Sequence, residues 1–113
     1  MTAEEVARLA LALPEANEEP HFDMTSFRVR GKIFATVPPD GEHVHVFVAP
    51  DDVPAEVAAD PAAVEELLWG SKLAGVRVRL GVAQQEQVAE LLEDAWRRKA
   101  PKKVVAAFDA DAR

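Results

Sequence analysis

The 113-residue sequence contains no cysteine, which removes disulfides, thiol nucleophiles and thiolate metal sites together. It has no run of the roughly 18–20 apolar residues that a membrane helix needs. A glycine-rich phosphate loop and a His-x-x-x-His helix are missing, and no Ser-His-Asp arrangement can be placed. The opening Met1-Thr2-Ala3-Glu4-Glu5 is acidic and does not read as a signal peptide, so a cytoplasmic location is the expectation. These gaps favour a binding protein over an enzyme, and they imply no cofactor.

What is present fits one domain over residues 1–113, because 49% hydrophobic and 29% charged residues suffice for a modest single core. The net charge of −7 opposes nucleic acid on average, but the charge is segregated. Residues 24–39, 67–85 and 95–108 contain no Asp or Glu and hold 11 of the 13 cations. The first window carries Arg28, Arg30 and Lys32, and the second Lys72, Arg77 and Arg79. The third carries Arg97, Arg98, Lys99, Lys102 and Lys103.

Residues 2–13 read as a helix. Thr2 and Glu5 have capping-box spacing, Val6, Leu9, Ala10 and Leu13 form one stripe, and Pro14 ends it. An acidic loop is expected over Glu15–Asp23. Ser26–Arg30 alternates as a strand, with Phe27 and Val29 on one side and Ser26, Arg28 and Arg30 on the other. Gly31 marks a turn into a second strand, Lys32–Val37. A two-residue loop sends Phe34 inward beside Phe27 and Val29, and this is the preferred reading. A three-residue loop sends Ile33, Ala35 and Val37 inward instead.

Pro38-Pro39-Asp40-Gly41 is a turn before a third strand, His43–Val48, with its valines inward. Residues 50–60 read as loop with one helical turn. Asp60-Pro61 reads as the start of a short helix to about Leu68. Gly70 and Gly75 bracket a loop, and Gly75–Leu80 is the fourth strand, with Arg77 and Arg79 outward. Residues 84–97 form the clearest helix, placing Trp96 in the core, and a last short helix follows Pro101. The expected fold is α+β: a two-layer sandwich with an antiparallel sheet of about four strands and helices on one face.

Several segments together resemble the MmcQ/YjbR family. They are Ala10-Leu11-Ala12-Leu13-Pro14, Pro20-His21-Phe22, the run from Ser26 to Ala35, Gly75-Val76-Arg77-Val78-Arg79-Leu80, Leu91-Leu92-Glu93-Asp94-Ala95-Trp96 and Ala100-Pro101-Lys102-Lys103. The resemblance implies a fold similar to frataxin (CyaY) and a DNA-binding role, with no catalytic motif to carry over. The family often places a Trp shortly before the fourth strand. Here Leu73 and Ala74 precede Gly75, and the nearest Trp is Trp69.

The candidate nucleic-acid site is the strand face with Arg28, Arg30, Arg77 and Arg79, and with Lys32 at the hairpin tip. Arg offers a fork of donors suited to phosphate. Backbone contacts alone would give slight sequence preference and an affinity of about micromolar or weaker. The alternatives are a protein partner or a small anion on the same face, an uncharacterised enzyme, for which no nucleophile–base pair is visible, or arginines that merely fill a solvated face and pair with local acids. The C-terminal basic cluster suits a helix C-terminus. His43 and His45 share a face and could be joined by Asp40 or Glu42, but two His without a defined third ligand fall short of a metal set. Glu4 and Glu5, the acids of the first helix, are explained by capping.

Overall fold

The computed structural model describes residues 1–111. Thr2 caps the first helix, α1 (Ala3–Leu11), through the anticipated capping box with Glu5. The chain then forms β1 (Ala16–His21), β2 (Met24–Val29), β3 (Lys32–Val37) and β4 (His43–Val46). A 3-10 turn at Pro50–Asp52 leads into α2 (Val53–Ala59), and β5 (Val64–Trp69) and β6 (Lys72–Arg79) follow as a hairpin. The helices α3 (Gln85–Lys99) and α4 (Lys102–Asp111) complete the described chain. The class is α+β as expected, but the sheet has six antiparallel strands in the order β1-β2-β3-β4-β6-β5, not four.

Both additional strands lie at the sheet edges. The acidic segment expected to be a loop is β1, paired along its whole length with β2. Its side chains are mostly exposed, so it carries no hydrophobic alternation, and Pro20 is tolerated because an edge strand need not donate on both sides. The segment expected to be a helix after Asp60-Pro61 is β5. The Asp60 carbonyl accepts from the amides of Ala63 and Val64, which closes a single turn, and the chain then extends to pair with β6. Gly70 is the first residue of the two-residue turn into β6, at φ +63°, and Gly75 lies inside β6 rather than ending a loop. Residues 50–60 are more helical than expected, because Val53 is fully buried and anchors α2 on the core.

The β2–β3 hairpin resolves the inward-facing alternatives. Arg30 and Gly31, at φ +51° and +80°, form a two-residue turn, so Phe34 points into the core as preferred. A bulge then leaves Phe34 without a partner on β2, between Ile33 opposite Arg28 and Ala35 opposite Phe27. Ile33 already faces the other side, opposite Arg28, and the extra residue resets the alternation so that Ala35 and Val37 also face the core while Thr36 turns away from it. The strand valines, Phe27, Phe34 and Leu80 meet Val88, Leu91, Leu92, Ala95 and Trp96 of α3. Trp96 is fully buried, and its indole N–H donates to the Pro14 carbonyl at 3.0 Å. Among the described residues no helix layer covers the opposite face of the sheet.

Gly75 fixes a close approach. A Cβ there would lie 2.3 Å from the Val46 carbonyl oxygen and 3.0 Å from the Phe47 Cα, where β4 leaves the sheet across β6. Gly81 would meet nothing within 4 Å. Gly75→Ala is therefore expected to destabilise the fold by about 2–3 kcal/mol, as overpacking against backbone does. Gly81→Ala should stay within about 0.5 kcal/mol of the parent. Urea unfolding of the two variants checks this, and equal midpoints would contradict the close approach.

Candidate functional site

The strand register aligns one polar residue from each strand into a row across the helix-free face. In sheet order it runs Glu19, Ser26, Thr36, His45, Arg77 and Glu65. Its middle is covered even though no helix lies on it. Ser26 is fully buried and Thr36 nearly so. Arg28 lies over Ser26, donating from Nε to Oγ at 3.0 Å, and the Ser26 hydroxyl donates to the Glu19 carbonyl at 2.7 Å. His45 Nδ1 lies 3.3 Å from Thr36 Oγ1.

Each of the four strand arginines meets an acid. Arg28 Nε lies 3.9 Å from Glu19, and Arg30 pairs with Glu15. Arg77 lies 3.5 Å from Glu65 and 3.9 Å from Asp40. Arg79 lies 3.1 Å from Glu65 and donates to the Ala62 carbonyl at 2.9 Å. The Glu15 pairing raises the pKa of Arg30 and lowers that of Glu15. The predicted group thus splits into two pairs, one at β2 and one on β6, with β3 and β4 between them. Lys32, exposed at the foot of β3, has no ion pair among the described residues.

A cleft of about 260 Å³ opens on the same face. Thr36 and His45 supply its polar part, and Met24, Ile33, Phe47, Trp69 and Leu73 supply apolar lining. The charged lining is Lys72, Arg98 and Lys99, with His21 nearby and no Asp or Glu. Phe47 and Trp69 pack with ring centroids 5.4 Å apart at 60°. Trp69, unlike the buried Trp96, is 62% exposed. Arg98 donates to the Phe47 carbonyl at 3.0 Å, tying the end of α3 to the segment that leaves β4. Burial, with Arg98 and Lys32 close by, lowers the pKa of Lys99.

The basic run near the end of α3 therefore divides. Arg97 is engaged by Glu93 and Asp109, at 3.0 and 2.7 Å, whereas Arg98 and Lys99 turn to the cleft. The sequence pattern explained both as helix-end cations. Only the register, which places β4 and β6 beside α3's end, reveals the difference. His43 sits 2.8 Å from Asp40, which also accepts from the Glu42 amide. Among the described residues no group of three or more potential ligands is placed to hold a metal ion. No helix there is long and apolar enough to cross a membrane.

The family model for YjbR matches residues 11–98, more than three quarters of the chain. The chain belongs to the YjbR family. Its fold is similar to the crystal structure of Deinococcus radiodurans protein DR2400, a DUF419 domain. The TM-score is 0.71 at 21% identity, covering 84% of this chain and 75% of that one. No curated protein matches. In this YjbR domain the matched span includes the whole helix-free face and every residue lining the cleft except Lys99.

His45 gives the face a pH dependence. Its Nε2 is buried without a hydrogen-bond partner among the described residues. Burial first, then the Arg77 and His43 charges, hold its pKa below the ordinary value, against a smaller opposing effect of Asp40. The unfolded chain therefore takes up this proton more readily than the folded one. The stability this represents is complete above the unfolded His value of about 6.5 and is lost as pH falls through the folded pKa. Urea unfolding at pH 7.5 and 5.5 should show a loss on acidification that is smaller in His45→Asn. An identical loss in both proteins would contradict the assignment.

Proposed function

We propose that this YjbR-family chain is a non-enzymatic binding protein that takes a small anion in the cleft on the helix-free face. One observation carries the reading: Lys72, Arg98 and Lys99 line a concave, acid-free site in a protein of net charge −7. Cations in a partly enclosed, apolar-walled site attract an anion more strongly than the same charges on open surface, because the surrounding dielectric is lower. Nearby Lys32 adds to the field, as its effect on Lys99 indicates.

Weak backbone binding of duplex DNA through Arg28, Arg30, Lys32, Arg77 and Arg79 is the second reading. Lys32 favours it, being an exposed cation at the hairpin tip with no ion pair among the described residues. Against it, each of the four arginines would have to exchange a carboxylate for a phosphate, so little net attraction is gained. Such binding would be weak and steeply salt-dependent.

Phosphate and a labelled duplex, each titrated at low salt into the wild type, Lys72→Gln/Lys99→Gln and Arg28→Ala/Arg77→Ala, separate the two. The cleft reading expects phosphate to shift the amide signals of Lys72, Arg98 and Lys99. It also expects that effect to fall at least about tenfold in the lysine variant and to persist in the arginine variant, in keeping with the 1.5–3 kcal/mol of a charged hydrogen bond. Duplex binding that the arginine variant abolishes, with no response to phosphate, would overturn it in favour of DNA.

A further inference from the structure

We propose that the ligand of this cleft is a flat aromatic acid of one or two rings, its ring against Phe47 and Trp69 and its carboxylate or phosphate on Lys72 and Lys99. The inference rests on the anion-site reading and adds the chemical class of the ligand.

Inorganic anions need only the cations, yet most of the lining is apolar. Met24, Ile33 and Leu73 join the two aromatic rings, and of these five side chains only Trp69, through its indole N–H, can donate a hydrogen bond to an oxyanion. Trp69 stands 62% exposed at the end of β5, where a solvated hairpin end has no need of so large an apolar ring. Phe47, itself 93% buried, holds that ring tilted at 60°. The pair therefore presents one firmly seated ring and one accessible ring to the same space. Aromatic groups prefer such offset or edge-on neighbours, at about 0.5–1.5 kcal/mol beyond simple burial.

Charge complementarity sets the other end of the ligand. The lining has three permanent cations and no carboxylate, so a neutral aromatic would leave them unpaired and a cationic one would be repelled. Size sets the limit. A volume of about 260 Å³ falls below the roughly 300–1,000 Å³ typical of sites for drug-sized ligands, which excludes a dinucleotide and suits one or two fused rings with a single acid group. Arg98 is already committed in part to the Phe47 carbonyl, so the lysines are the freer partners and Arg98 orients the wall.

The experiment titrates 2-naphthoate, cyclohexanecarboxylate, 2-naphthalenemethanol, inorganic phosphate and a ten-residue oligothymidine into the whole chain, followed by amide shifts. It repeats the naphthoate and phosphate arms with Trp69→Ala, a substitution at an exposed side chain, and with Lys72→Gln/Lys99→Gln. The expected result is that naphthoate shifts Phe47, Trp69, Lys72 and Lys99 and binds at least threefold tighter than the cyclohexane acid and tenfold tighter than the alcohol. Trp69→Ala should weaken naphthoate at least threefold and leave phosphate unchanged, whereas the lysine variant should weaken both. Equal affinity for the cyclohexane acid and naphthoate, with phosphate still bound, would overturn the aromatic preference and leave the anion site standing. No response to phosphate or naphthoate would overturn both. Oligothymidine that displaces naphthoate and binds far more tightly would overturn the small-ligand class in favour of single-stranded nucleic acid.

Discussion

The close approach of β4 to β6 at Gly75 governs how the helix-free face is built. Because residue 75 has no side chain, the Val46 carbonyl can lie where a Cβ would otherwise be, and the chain leaves β4 across β6. That crossing turns Phe47 onto Trp69 and brings its carbonyl to Arg98 at the end of α3. One missing methyl group thus links three sequence-distant windows, around residues 47, 69–75 and 98, into one cleft. The Phe34 bulge does comparable work one strand away, by turning Thr36 out of the core and into the cleft lining.

The charge on this face is partitioned. The arginine of β2, the one just past its end and the two of β6 are paired with Glu15, Glu19, Asp40 and Glu65, acids that come from β1 and the residue before it, from β5, and from the turn between β3 and β4. Exposed ion pairs of this kind add little stability, because water and salt screen them. Their consequence is electrostatic: they cancel the field of the arginines and leave the cleft cations as the unneutralised positive charge of the face. An acidic protein can thereby hold a local site for an anion without presenting a broad basic surface.

Much of the fold was legible in the sequence, and its failures have physical causes. The inward positions of Val44, Val46, Val48, Val76, Val78 and Leu80 followed from alternation, and those of α3 from its helical stripe, because each buries one face against the core. The edge strands were not legible. Residues 16–21 form a strand through backbone pairing with little side-chain burial, and Asp60-Pro61 carries a helix-start signature that yields only one turn before β6 captures the chain. The segregation of cations was visible, but segregation along the chain is not segregation in space. The acids that meet the strand arginines lie in windows that the sequence set apart. The cleft was illegible for the same reason, since it depends on the register of β4 beside β6 and on a bulge.

The central claim is that accessible positive charge on this face resides in the cleft and not on the strand arginines. A crystal of the chain soaked in sodium bromide, with anomalous scattering locating the anions, tests it most directly. The account predicts bromide beside Lys72 and Lys99 within the cleft, with Arg28, Arg30, Arg77 and Arg79 still on their carboxylates. Bromide on those arginines and an empty cleft would contradict it.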